Sequence, residues 1–400
     1  MRTNQGAQDP LAAPSQSPHV LVLPKWWPGP ADPQLGDFIR KQTQAAAQFT
    51  KLTVLLVRPV QEIGTAPNVI LRVEDDLTTV SSTYASSSNV IKPVRKVINL
   101  MRYWRAAKKG WNHVVQQQGL PDLVHVHILV RPALFARWIN RKYGIPYLIS
   151  EQSSEYLDGT YTGKGFLFHQ LNKHLFRHAA LITAVSARLG EGVRDLGLCK
   201  EFKVVPNVIP GLDRPLPPRG DKGHFLVVAD LVDRTKNVSG VLRALHKALA
   251  IEPGLRLTVI GDGPDRAELE AMVRSLELSA QVEFLGRLPN LAVLDHMALV
   301  GSVIINSNVE TFSVVTGEAL AQGKPVIATR CGGPEAFITP TNGLLIPLRD
   351  DASLAEAMIR SNTTHGTYLP AAIRQSLASR FSPTAVGSAF LECYRSCLNA

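Results

Sequence analysis

SVIINSNVETFSVVTGEALAQGKPVIATRCGGPE, residues 302–335, reads as a buried strand, a loop carrying Glu310, a helix from about Ser313 carrying Glu318, a turn at Gly323, a second strand and a Gly-Gly-Pro-Glu turn. Apolar strands of this continuous kind, separated by helices, indicate a parallel sheet covered on both faces. The alternation extends upstream through HFLVVADL, a helix over Val238–Ala250, LRLTVIG, a helix over Pro264–Leu276, VEFLG and a short helix near Leu291–Ala298, and downstream into GLLIPL. An earlier series of the same type starts at His19: HVLVLP, a helix near Gly36–Phe49, KLTVLLVRP, LVHVHIL, a helix at Ala133–Tyr143, IPYLIS and LITAVS. The proline-rich stretch VPNVIPGLDRPLPPRGDKG separates the two series. The expected class is therefore α/β, with two Rossmann-like domains facing each other through the carboxyl ends of their strands, where ligands of open α/β sheets bind.

The expected boundaries are a disordered leader at 1–18, a first domain at 19–208, a linker at 209–222 and a second domain at 223–380. An amphipathic helix over Phe381–Leu398 then crosses back to brace the first domain. A chain of 400 residues exceeds what one core usually organises, and its 45% apolar content is ordinary for a globular protein. No apolar run approaches a membrane span, and the start lacks the apolar core of a secretory signal, so a cytoplasmic location is expected. Four sparse cysteines suggest neither a disulfide framework nor a structural zinc site. The formal charge of +10 points to a polyanionic partner without choosing among nucleotide, anionic bilayer, charged glycan and nucleic acid.

A helix N-terminus offers unpaired N–H groups and a positive dipole end, so the backbone at Phe312, Ser313 and Val314 is placed to receive a diphosphate. Glu318, deeper in that helix, can accept hydrogen bonds from two ribose hydroxyls, and Glu310 sits where a sugar would project. Taken singly, either glutamate reads better as a solvated helix-end charge. The full pattern resembles the E-x7-E signature of the retaining GT-B glycosyltransferases of family four, also called glycosyl transferases group 1. The resemblance covers nearly the whole chain from His19. LRLTVIGDGPDRAELE resembles the family's strand, G-x-G-P turn (Gly261, Gly263) and helix; VEFLGRLP resembles its base-binding strand end (Arg287, Leu288); CGGPEAF resembles its Gly-Gly-x-x-Glu turn.

Other family positions follow from the same resemblance. In VADLVDRTKN, Lys236 fits a diphosphate-binding lysine, but Asp230 stands where relatives carry an arginine, and Arg234 is the candidate substitute. In PKWWPGPADPQLGDFIRKQ, Gly36 matches the glycine that admits donor or acceptor to the first helix, and is also a plain helix-capping glycine. LVHVHILVRPALFA places His127 at the cleft, although a histidine at a strand end is as often structural. IPYLISEQSSEYL puts Glu151 and Gln152 beside the cleft, with Gln152 where relatives carry a sugar-binding histidine. Ser186 and Asn207 match family positions too, and capping and turn roles explain both equally.

Residues 92–111, KPVRKVINLMRYWRAAKKGW, combine seven basic residues and no acid with Val94, Val97, Ile98, Met101 and Trp104 at helical spacing. That composition suits a helix lying on an anionic membrane and also a packed surface helix with a solvated basic face.

The family resemblance implies a glycosyltransferase that moves a sugar, with retention, from a nucleoside-diphosphate sugar to a glycan or lipid-linked acceptor, as in cell-envelope or exopolysaccharide biosynthesis. It implies neither a cofactor nor a metal, and no nucleic-acid partner; the Glu74-Asp75-Asp76 run lies in a variable stretch. Peripheral contact with the inner face of the plasma membrane is the matching expectation. Diphosphate-assisted attack would leave Glu310, Lys236 and His127 as the groups nearest the chemistry. Two other readings share the fold: a catalytically silent partner subunit, suggested by Asp230 and Gln152, and a nucleotide-sugar epimerase.

Overall fold

The computed structural model describes residues 17–29, 32–60, 68–74 and 77–399. The expected leader, apart from its last two residues, and Asp75 and Asp76 lie outside them. The first sheet is laid down by β1 (His19–Pro24), α1 (Asp37–Ala47), β2 (Lys51–Val60), β3 (Val69–Glu74), β4 (Leu77–Ala85), α2 (Lys92–Gln118), β5 (Leu123–His127), α3 (Arg131–Tyr143), β6 (Tyr147–Glu151), α4 (Phe166–Arg177), β7 (Leu181–Ala184), α5 (Ala187–Asp195) and β8 (Lys203–Val204). The second comprises β9 (Asp221–Val228), α6 (Asp233–Lys236), α7 (Val238–Leu249), β10 (Arg256–Ile260), α8 (Arg266–Ser275), β11 (Val282–Gly286), α9 (Asn290–Leu299), β12 (Val300–Ile305), α10 (Val314–Ala321), β13 (Val326–Thr329), β14 (Gly343–Ile346) and α11 (Asp351–Thr363). Two helices close the chain, α12 (Pro370–Phe381) and α13 (Pro383–Leu398).

Strand order is β3-β4-β2-β1-β5-β6-β7-β8 in the first sheet and β11-β10-β9-β12-β13-β14 in the second. All pairings are parallel except the β3–β4 hairpin at one edge. The order of strand addition reverses between β1 and β5 in one sheet and between β9 and β12 in the other, so each sheet opens a crevice at those strand ends. The all-buried runs Val20–Leu23 and Val303–Ile305 are central strands with helices on both faces, which explains their lack of polar alternation.

Three local readings need correction. β3 and β4 were not anticipated from the sequence. β4 mixes buried with half-buried residues and the described side chains of β3 are half-buried or exposed, as at a sheet edge, rather than running buried throughout. The helix expected over Phe381–Leu398 starts two residues later: Phe381 ends α12, and Pro383, which cannot continue the α12 hydrogen-bond ladder, opens α13. The basic helix runs on to Gln118, and its buried residues are Tyr103, Ala106, Ala107, Gly110, Trp111 and Val114, mostly beyond the expected apolar stripe. Val94, Val97 and Met101 of that stripe are solvent-exposed, while Trp104 is half-buried against Phe135 and Trp138.

The closing helix does return to the first sheet. Phe390 and Tyr394 pack on His125, and Gly387 leaves room for the α1 carbonyl of Ala45, which a Cβ would strike. Among the described residues no helix is long and apolar enough to cross a membrane.

Candidate active site

The loops after β9 and β12 part at the second sheet's switch point, and the polar residues between them converge. Lys236, on the one-turn helix α6, donates to Glu310 Oε1 at 2.5 Å, and Ser307 Oγ donates to the same oxygen at 2.7 Å. Burial by itself would lower the Lys236 pKa, but the Glu310 carboxylate outweighs it and holds the ammonium in its charged form. The Glu310 backbone is pinned from the other side, its N–H donating to Cys331 O at 3.0 Å beside a bridge to Gly332. The glycines of the CGGPE turn are required by this packing. A Cβ on Gly332 would lie 2.9 Å from Glu310 O, and one on Gly333 would lie 2.5 Å from the Phe312 carbonyl carbon.

Glu318 lies on α10, whose residues from Thr316 to Ala321 are all buried. Only 5% of Glu318 is exposed, so it is not a solvated helix-end charge. Asn290 Nδ2 donates to its Oε1 at 2.7 Å. Burial pushes its carboxyl up to about 7, and the hydrogen bond from Asn290 and the charge of Lys41 pull the other way. A cavity of 320 Å³ opens above it, lined by Glu318, Val314, Lys236, Asp230, Gly261, Arg287, Leu288 and Asn290 from the second half and by Gln34, Asp37, Phe38, Lys41 and Val208 from the first. That volume, its mostly apolar walls and its few convergent polar groups are those of a small-molecule site.

The expected donor residues thus fall into two groups. Lys236, Glu318, Val314, Gly261, Arg287 and Leu288 share the cavity, and Glu310 joins it through Lys236. Phe312 buries its ring against Phe337 and Phe381, and Ser313 takes a left-handed conformation as the α10 cap, so only their backbone faces the loop. Gly263 is excluded from the lining; its missing side chain makes room for the Leu231 carbonyl, 2.5 Å from where a Cβ would stand. Arg234 is exposed and outside the cavity as well. Instead it is Arg287 that meets Asp230, Nη2 to Oδ1 at 2.9 Å, so the carboxylate in the family's arginine position is neutralised by a guanidinium from the next loop.

In the first half, three readings are corrected. His127 is fully enclosed, lies against Phe390 and has no hydrogen-bond partner on either ring nitrogen; burial drives its pKa to about 3. Glu151 is equally buried, its Oε1 accepting from the Leu129 backbone N–H at 3.0 Å and from the Tyr156 hydroxyl at 3.1 Å. Gln152 is turned inward, donating to Gln42 at 2.8 Å. None of the three lines the cavity. Gly36, by contrast, stands where it was expected, capping α1 at φ 71° with Trp26 packed so closely that a Cβ would lie 2.6 Å from its carbonyl carbon.

Asn290 and the α1 contributors Asp37, Phe38 and Lys41 went unread in the sequence. Asn290 meets Glu318 across 28 positions, which no local spacing reveals. Asp37 and Lys41, paired at 2.6 Å one turn apart, carried a signal in their i,i+4 spacing, but nothing in it pointed toward the cavity. The halves touch directly: Ser186 caps α5 and also donates to Thr311 O at 2.6 Å, and Gln34 donates to Leu288 O at 3.2 Å.

Residues 211–363 match the family described as glycosyl transferases group 1, and residues 64–208 match the glycosyl transferase 4-like domain. The chain is 28% identical over 229 residues to the lipopolysaccharide core biosynthesis glycosyltransferase LpsD of Rhizobium meliloti, a match covering 55% of this chain and 64% of that protein. It is 26% identical over 352 residues to the glycogen synthase of Mycobacterium tuberculosis, covering 78% and 83%. The chain thus spans a little under two thirds of the length of the first of these relatives. Among solved structures, sucrose-phosphate synthase from Thermosynechococcus elongatus superposes with a TM-score of 0.73 at 18% identity over 95% of this chain and 99% of that one. HepE of Anabaena, in complex with UDP, gives 0.71 at 15% identity over 95% and 100%.

Proposed function

Since the chain belongs to the GT-B glycosyltransferases of the group 1 type, we propose that it takes a sugar from a nucleoside-diphosphate sugar held by its second half and transfers it, with retention, to a glycan or lipid-linked acceptor held mainly by its first half. The observation that carries this reading is the meeting of the Lys236–Glu310 pair and the Glu318–Asn290 pair around one cavity. Glu318 and Asn290 suit the two hydroxyls of a ribose. The first turn of α10 and Lys236 suit the diphosphate, and Glu310 holds that ammonium in place while facing the transferred sugar. HepE, of like fold, was crystallised with UDP and with UDP-glucose, which makes a uridine donor the first to test.

In this mechanism the chain supplies position and charge rather than a nucleophile. Lys236 and the α10 amides stabilise the negative charge that grows on the leaving diphosphate. That diphosphate takes the acceptor proton on the face it leaves, so the configuration is retained. No resident cofactor or metal is part of the proposal. The relatives in lipopolysaccharide core assembly support a role in building envelope or exported polysaccharide.

Peripheral membrane contact belongs to the same reading. The exposed Val94, Val97, Leu100 and Met101 lie on α2 among Lys92, Arg95, Lys96 and Arg105, an apolar strip with a basic surround.

A thermal-shift screen over nucleoside diphosphates and their sugars tests the donor, because a bound ligand raises stability with its affinity. Product analysis by anomeric-proton NMR, with and without chelator, tests the rest. An inverted product would overturn retention, loss of turnover with chelator would overturn the metal-free step, and a new nucleotide sugar formed from donor alone would mark an epimerase.

A further inference from the structure

The first sheet has its own crevice, at the β1/β5 switch point, and the donor chemistry does not use it. A cavity of 480 Å³ lies there, between the carboxyl ends of β1, β2 and β4 and the turn that enters α3. Its polar lining consists of Lys25, Arg131, Trp26, Tyr84 and Tyr103, and none of its lining residues is acidic. Among the described residues neither Lys25 nor Arg131 forms an ion pair. Lys25 Nζ lies 4.9 Å from the Trp26 ring. Arg131 lies 5.6 Å from the Tyr103 ring, and its Nη1 donates to the Tyr84 hydroxyl at 2.9 Å. The guanidinium is thus oriented by a phenol and a ring face, and its remaining N–H groups are left for an anion.

The turn that presents Arg131 is strained. Ile128 and Val130, both β-branched, hold φ of 64° and 82°, a region such side chains rarely adopt. The turn is tied down by Ile128 N–H to Ser150 O at 2.9 Å and by the Leu129 N–H to the Glu151 carboxylate. Backbone strain of this kind persists where surrounding structure over-determines it, and it gathers at ligand-binding positions. The cavity also adjoins the donor site. Trp26, on its wall, meets Phe38 edge-on at 6.4 Å, and Phe38 lines the donor cavity.

We infer that this second cavity is the acceptor subsite and that it selects an acceptor carrying an anionic group, held by Arg131 and Lys25, with a sugar face packed on Trp26. The inference rests on the transferase reading and adds to it the charge class of the acceptor. The anion has two sources, a carboxylate on the acceptor sugar or the phosphate that links a glycan to its lipid.

The test measures binding of glucuronate, farnesyl diphosphate and methyl α-glucopyranoside by saturation-transfer NMR with the full chain and saturating UDP. At least one anionic probe should bind about tenfold or more tightly than the neutral glucoside, the size expected of one charge-assisted contact. Which of the two binds better identifies the source. Arg131→Gln and Lys25→Glu should each abolish the preference; the Lys25 side chain is exposed, so that variant keeps the test open if the first does not fold. Equal binding of all three probes, or a preference untouched by Lys25→Glu, overturns the inference. Failure of the wild type to bind any nucleoside diphosphate would instead overturn the transferase reading, and the UDP signal in the same samples separates the two failures.

Discussion

Both sheets place polar residues at the carboxyl ends of their strands, and they use them in opposite ways. Beyond β9 and β12 the loops and helix starts leave open space, so Lys236 and Glu318 line a cavity and Glu310 stands beside it, bonded to Lys236. At β5 and β6 the corresponding ends are covered: α13 lays Phe390 over His127, the 128–130 turn and Tyr156 close over Glu151, and Gln42 of α1 takes Gln152. There Glu151 holds the Leu129 backbone in place, Gln152 bonds the Gln42 side chain and His127 is enclosed without a hydrogen-bond partner. A strand-end position therefore does not decide whether a polar side chain is chemical or structural; the element packed over it does.

The sharpest way to break that contrast is Glu310→Ala. If Glu310 positions Lys236 and the sugar, kcat should fall about a hundredfold to a thousandfold, the usual loss for one preorganised electrostatic contact, with little change in the melting temperature. Wild-type turnover would place Glu310 with the structural residues of the first sheet.

Glu151 should behave in the other manner. Burial raises its carboxyl to about 7 in the folded chain, above its unfolded value, so its contribution to stability is present in full at acid pH and is lost as pH rises through about 7. Glu151→Gln should flatten that decline by up to about 3 kcal/mol between pH 5 and pH 8 in urea titrations, and alter kcat only slightly. A variant with an unchanged stability profile but crippled turnover would return Glu151 to the active site.

Glu318 links the two behaviours, being both buried and exposed to ligand. Its carboxyl, near 7 when the cavity is empty, should accept ribose hydroxyls best when ionised, so nucleotide affinity should rise about tenfold from pH 6 to pH 8 as the ionised fraction grows. Calorimetry on Glu318→Gln should show weaker binding with that dependence gone. Persistence of the slope in the variant would assign it to another group.

The smallest expected effect lies on the outer face of the first sheet. Each lysine or arginine near an anionic bilayer contributes about 1 kcal/mol, so α2 should give salt-sensitive co-sedimentation with anionic liposomes. Arg102→Glu, Arg105→Glu and Lys108→Glu together should reduce it. No binding by the wild type at low salt would leave α2 a solvated helix and favour a soluble acceptor.

Sequence alone determined the alternation of apolar strands and helices, hence two parallel sheets, because burial on both faces leaves a continuous apolar signature that needs no knowledge of neighbours. It also marked Glu310 and Glu318, whose spacing is fixed by one loop and one helix, and, by resemblance, Lys236 just ahead of α7. Tertiary structure alone decided that Asn290 serves Glu318, that Arg287 rather than Arg234 answers Asp230, and that α1 completes the cavity, since each is a contact between segments far apart in the chain. It also decided the fate of His127, Glu151 and Gln152. Their residue types suit a cleft as well as an interior, and only the return of α13 and the packing of the 128–130 turn and α1 enclosed them, because burial is a property of what covers a side chain and not of the side chain itself.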